Sequence, residues 1–302
     1  MPKERTHWYL AARTQSRLPP GILADAASAF PEFVGAGAVA HDSGYYLWKD
    51  PDAHAVAERL HGRGGYDSFE PFRRLAGRES SLPEGLAFGF GALSHLAADV
   101  VFHPLVYAWT GSEDSEDDQV RWGWPYRHAA CETALDSHLE KLWGPPPFRS
   151  VARLKHRCGP QLISLQTAFS GANAGPLISA HARRQNLFHR RWASWLAHRF
   201  RGEHPHGRGD WSSSFYPRKP ELHPAFEGLL EWEDPVTGQS SRLSLGELLE
   251  NYDAFVADLV QEWSLAWHNH REPFAGVFGP CLDTGLTGRT PQIQRYSQIR
   301  WF

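Results

Sequence analysis

His95, Asp99 and His103 recur at intervals of four in a stretch that is otherwise apolar. On an α-helix each step of four residues advances only about 40° around the axis, so the three side chains leave one face. Their neighbours include Leu86, Phe88, Phe90, Leu93, Leu96, Val100, Val101 and Phe102, which marks the segment as buried. A buried imidazole or carboxylate must be paired or must hold a metal. A second segment repeats the arrangement with His128, Glu132 and Asp136. Helical bundles build metal centres from such pairs facing each other across a cleft. A single His-x-x-x-carboxylate pair is most often a hydrogen-bonded couple. Two pairs plus His103, the first embedded in apolar sequence, read as metal ligands. Asp136 reads either as a carboxylate orienting His128 or His103, or as an exposed residue. Cys131 is turned about 100° from Glu132 and reads as packing.

The composition agrees with that chemistry. The 302 residues include 17 His but only 3 Cys, which suits an imidazole–carboxylate site and rules out a Cys-rich zinc finger or a disulfide scaffold. A net charge of -3 argues against a general polyanion binder. No Ser-His-Asp motif, nucleophile elbow or phosphate loop is apparent, so covalent catalysis and P-loop nucleotide hydrolysis are poor readings. No apolar leader with a small-residue cleavage site follows Met1, which predicts a cytoplasmic chain. The run from Leu86 to Trp109 is long enough to cross a membrane, but His95, Asp99 and His103 interrupt it. It reads as a buried central helix.

The elements that must position these residues are mainly helical. Helices are expected over Ala53 to Leu60, Glu70 to Ala76, Pro83 to about His103, Tyr126 to Trp143 and Ser179 to Phe200. Another is expected over Leu245 to His268, opened by Ser244 with Glu247 three residues on. Gly111 to Gln119 reads as an acidic loop and Gly202 to Pro220 as a Gly/Pro/Ser-rich one. Leu229 to Trp232 and Ser241 to Leu243 suggest a hairpin. The basic, Trp-bearing segment Ser179 to Phe200 reads as the solvated face of a packed helix, or as a surface for an anionic membrane.

At this point the chain resembles a known family. Gly89-Phe90-Gly91-Ala92-Leu93-Ser94-His95-Leu96-Ala97-Ala98-Asp99-Val100-Val101-Phe102-His103-Pro104 is similar to the central motif of the zinc-dependent phospholipase C family, and Arg127-His128 with Glu132 to its next motif. Gly35 to Tyr46 resembles the family's GAxGPD segment, with His41 where the family has Pro. Thr6-His7-Trp8 resembles its N-terminal motif, and Leu60-His61 before Phe69 and Phe72 its LH…FF segment. The resemblance covers residues 1 to about 140. It implies a mainly α fold, a single helical domain of the phospholipase C and single-strand nuclease type. Residues 1–148 would form the zinc-binding catalytic core, and 149–302 additional helices and loops packed into the same domain. It further implies two or three zinc ions held by His7, Asp42, His61, His95, Asp99, His103, His128 and Glu132. His54 is a rival to His61. Asp99 would bridge two metals, and Asp42 would serve as ligand and general base.

Clustered zinc lowers the pKa of a bound water and neutralises charge building on phosphorus, so the expected reaction is hydrolysis of a phosphodiester. In the resembled family the last motif ends in Glu for phospholipase C and in Asp for the nucleases. Glu132 therefore favours a phospholipid substrate, with peripheral membrane contact. The alternatives are a single-strand nuclease or nucleotidase acting on nucleic acid, and a non-catalytic membrane-associated zinc protein.

Overall fold

The structure, a computed structural model, describes residues 3–47, 49–78, 82–112, 115, 118–199, 212, 215–217 and 219–286. It is mainly helical, as the pattern predicts. The helices are α1 (Glu4–Gln15), α2 (Ile22–Ala29), α3 (Pro31–Gly37), α4 (Pro51–Leu60), α5 (Glu70–Arg78), α6 (Pro83–Thr110) and α7 (Asp118–Trp143). They continue with α8 (Val151–Ser170), α9 (Ala174–Phe188), α10 (Arg191–Arg199) and α11 (Leu245–His268). A 3-10 helix spans His41–Leu47, and the one sheet among the described residues pairs β1 (Leu229–Glu233) with β2 (Ser240–Ser244).

The axis of the fold is α6. By length and composition it could cross a membrane, yet 89% of its most apolar window is buried inside the protein. Helices α1, α2, α3, α7 and α11 all pack on it. The crossing of α3 over α6 is the closest, and glycine makes it possible. A Cβ on Gly37 would overlap the carbonyl of Phe88, and one on Gly91 would overlap the carbonyl of Val34. Backbone therefore touches backbone where the Gly35-Ala36-Gly37-Ala38 run meets Gly89-Phe90-Gly91. On another side Gly89 leaves room for the indole of Trp263 from α11. The Tyr252 hydroxyl ties α11 to both Thr14 of α1 (2.8 Å) and Ser94 of α6 (2.7 Å). Buried apolar residues from Trp8 to Leu282 share one continuous core.

Several boundaries differ from expectation. Helix α6 does not end near His103 but continues through Pro104 to Thr110. Proline there removes one intrahelical hydrogen bond, and Leu105, Val106, Tyr107, Ala108 and Trp109 are all buried, so packing carries the helix onward. Helix α7 likewise begins at Asp118 and runs through Pro125. The helix expected over Ser179 to Phe200 is broken into α9 and α10 at His189. His189 turns toward the buried Glu4 (3.6 Å) and packs on Tyr216 (4.5 Å between centroids), and this long-range capture bends the chain. Helix α11 matches its expected bounds, with both halves of the capping box formed by Ser244 and Glu247. The hairpin gains the Glu233–Ser240 pair at its turn end and Ser244 at its outer end. Most of the expected acidic loop (Glu113, Asp114, Glu116, Asp117) and most of the expected Gly/Pro/Ser loop fall outside the described residues.

Candidate metal centre

All eight expected ligands are buried in the interior. Each comes from an element whose local chemistry fixes it. His95, Asp99 and His103 project from one face of α6, as the spacing demands. His128 and Glu132 project from α7, with His128 Nε2 2.9 Å from Glu132 Oε1. Asp42 lies in the 3-10 helix that follows α3, and His61 caps the C-terminus of α4. His7 comes from α1.

The side chains converge in three groups whose ligating atoms all lie within 4.8 Å of one another: His7, Asp42 and His95; His61, His95 and Asp99; His103, His128 and Glu132. Asp99 sits between them. Its Oδ2 faces His95 Nε2 (3.1 Å) and His61 Nε2 (3.4 Å), while Oδ1 faces His7 and His103 (3.5 Å each). Asp42 Oδ1 faces His61 (3.2 Å) and His95 (3.8 Å). Ligands placed tetrahedrally about 2.0–2.1 Å from a zinc ion stand roughly 3.3–3.4 Å apart, so these separations suit a shared ion. The polar atoms also ask for one. Nε2 of His61 and His95, both oxygens of Asp42 and Oδ2 of Asp99 are buried without a hydrogen-bond partner of proper geometry. Unpartnered buried polar atoms in such number are costly unless a cation satisfies them.

The opposite ring nitrogens are already committed. Nδ1 of His95 lies 2.9 Å from the Ala38 carbonyl, and Nδ1 of His61 lies 2.8 Å from the Ala57 carbonyl. A carbonyl only accepts, so Nδ1 carries the hydrogen and Nε2 keeps its lone pair for a metal. The Ala38 contact exists because the glycine crossing brings α3 against α6. His103 is held differently, with Nδ1 3.4 Å from Asp283 Oδ1. Asp283 in turn pairs with Arg63 and accepts from the Tyr107 hydroxyl (3.0 Å).

Electrostatics separate the imidazoles into two kinds. Burial disfavours the charged form of His61, but Asp42 and Asp99 outweigh it and raise its pKa from 6.5 to about 10. His103 also rises against burial, to about 10, through Asp99, Asp283 and Glu132. His7 falls to about 4 through burial and the neighbouring His95, and burial lowers His128. For Asp99, burial is overcome by His103 and His95, which hold the carboxyl well below its usual range.

Other residues resolve differently from the sequence reading. Asp136 is neither exposed nor turned toward His128 or His103. It accepts hydrogen bonds from the Thr6 backbone (2.7 Å), the Thr6 hydroxyl and the Tyr216 hydroxyl (2.6 Å), and so fixes the residue next to His7. His54 is half exposed beside Glu58, while His61 is in the cluster. His41 is fully buried, stacked on His95 with centroids 4.4 Å apart, and burial keeps it neutral. Cys131 is buried and belongs to none of the three groups. Asp283 and Lys3 escape sequence reasoning. No pattern marks Asp283, which arrives because the Leu282 N–H donates to the His61 carbonyl (2.9 Å). Lys3, with burial lowering its pKa, lines a cavity of about 30 Å³ shared with His7, Asp99, His103 and Glu132.

The segments that carry these groups match one family. The model of the zinc-dependent phospholipase C family matches residues 6–165. The chain belongs to that family. All eight expected ligands lie inside the matched region, whereas Asp283 and α9 to α11 lie beyond it. Membership makes the chain part of a zinc-dependent hydrolase family, with a phospholipid as the substrate the family name carries. No curated protein and no solved structure matches it.

Proposed function

We propose that this chain is a zinc-dependent phosphodiesterase of the phospholipase C type, which hydrolyses a phospholipid to an alcohol and a phosphomonoester. The observation that carries the reading is the buried cluster around Asp99, in which Nε2 of His61 and His95, both oxygens of Asp42 and Oδ2 of Asp99 lack a partner of proper geometry. His7, Asp42, His61, His95, Asp99, His103, His128 and Glu132 would hold two or three zinc ions, with Asp99 facing members of all three groups. When bound, the ions supply Lewis acidity, which lowers the pKa of water and neutralises charge building on phosphate.

The chain's own residues do the rest. Asp42, buried with neither oxygen taken by a protein donor, accepts the proton of the attacking water. Ala38 and Ala57 hold His95 and His61 in the tautomer that leaves Nε2 free. Asp283, fixed by Arg63 and Tyr107, does the same for His103. The cavity beside Asp99, His103 and Glu132 has room for the attacking water.

The test is hydrolysis by the zinc-loaded protein of phosphatidylcholine and of single-stranded DNA. Release of phosphocholine, lost in Asp42→Asn with zinc retained, is the expected result. Cleavage of DNA alone would move the chain to the nuclease reading, and no hydrolysis of either would remove the phosphodiesterase claim.

A further inference from the structure

Residues 141–202 contain eleven Lys or Arg and no Asp or Glu, in a chain whose net charge is -3. The described part of this stretch ends in α10. One side of α10 is packed, with Ala193 and Ala197 buried against Phe188 and Phe215. The other side carries Trp192 (57% exposed), Trp195 (59%) and Leu196 (40%), with the exposed Arg199 one turn further on. These positions are spaced i, i+3, i+4 and i+7 and share one helical face. Leu187, near the end of α9, and Arg190, at the bend, are exposed as well. The underside of that bend leads to the metal centre. Phe188 lies 5.1 Å below the Lys3 ammonium, and Lys3 lines the cavity beside Asp99 and Glu132.

Among the described residues, tertiary packing accounts for the alanine side of α10 and not for the indole side. Indole is at home at the level of lipid headgroups, where its ring is apolar and its N–H is wet. A stretch that holds arginine and lysine and no carboxylate attracts an anionic lipid surface, and Arg190 and Arg199 expose that charge at the elbow. We propose that the α9–α10 elbow is an interfacial docking surface, seated on an anionic phospholipid bilayer with Trp192, Trp195 and Leu196 in the headgroup layer. This rests on reading the substrate as a phospholipid and adds the surface through which the enzyme meets it. Charge complementarity selects the lipid over a second copy of the chain, since a like-charged elbow facing itself would repel.

The experiment compares the zinc-loaded protein with Trp192→Ser/Trp195→Ser and with Arg190→Glu/Arg199→Glu. Binding is measured by co-sedimentation with vesicles of phosphatidylcholine alone and of an equal mixture with phosphatidylserine. Hydrolysis of a water-soluble chromogenic phosphodiester controls for folding and for the catalytic centre. The wild type should bind the mixed vesicles more tightly than the neutral ones, and less tightly as salt rises. The Trp variant should lose roughly tenfold or more on both. The Arg variant should lose roughly fivefold or more per arginine on the mixed vesicles only. Soluble-substrate turnover should be unchanged in both variants. Wild type that ignores vesicles, or a Trp variant that binds as wild type does, would overturn the proposal. So would self-association removed by the same substitutions without vesicle binding, because it would place a second copy on this face. Loss of all phosphodiester hydrolysis with vesicle binding intact would sink the hydrolase reading alone; soluble hydrolysis without vesicle binding would sink the docking surface alone.

Discussion

Metal uptake by this cluster should be a competition with protons, and its size follows from the geometry. In the metal-free chain His61 and His103, each pressed between carboxylates, titrate near pH 10. At pH 7 both are protonated, and a metal must displace both protons to reach Nε2. Three pH units separate neutrality from that pKa, at about 1.4 kcal/mol per unit, so each imidazole opposes binding by about 4 kcal/mol. His7, titrating near 4, is already neutral and opposes nothing. Zinc binding at pH 7 should therefore release at least two protons, and apparent affinity should rise about a hundredfold per unit between pH 7 and 9. Titration calorimetry of stripped protein in buffers of differing ionisation enthalpy counts the protons directly. The pH dependence of folding differs between the two forms. A raised folded pKa lends stability that is full below 6.5 and lost as pH climbs through about 10, so the metal-free Tm should fall across that window. The zinc-loaded Tm should stay nearly flat over the same interval, because the gain in zinc affinity offsets the loss of metal-free stability. Proton-free binding with a flat pH dependence would refute the reasoning.

Four further outcomes follow from the same contacts. His95→Ala or Asp99→Ala should lose metal and activity together, measured by elemental analysis beside turnover, because His95 belongs to two groups and Asp99 faces members of all three. Asp283→Asn should keep the fold and weaken zinc binding by roughly 10–100-fold, since it removes the charge behind His103; a chelator titration reads this. Asp136→Ala strands the Thr6 donors and the Tyr216 hydroxyl and should cost roughly 3 kcal/mol or more in urea unfolding. Gly91→Ala forces α3 away from α6 and should cost about 3 kcal/mol, with weaker zinc binding as Ala38 leaves His95.

How much of this was readable in the sequence depends on the range of the interaction concerned. His95, Asp99 and His103 were legible because one helix face is a local property. So was α11, whose capping box lies within four residues. Asp136 shows the limit: its helical spacing is right for the cluster, but its partners come from Thr6 and Tyr216, far away in sequence. His189 bends a segment whose periodicity is helical throughout, because a buried carboxylate on α1 captures it. Helix α3 carries no periodic signal, since its glycines serve a backbone crossing rather than an apolar stripe. Asp283 had no signal at all, being delivered by one backbone hydrogen bond to His61.

The most direct test of the central claim is the metal content of purified, untagged protein after brief dialysis against a weak chelator, read by elemental mass spectrometry. Two or three zinc ions per chain are expected, and none in Asp99→Ala of unchanged helical content. Zero or one ion in the wild type would contradict the claim, leaving the buried cluster without the occupant its geometry calls for.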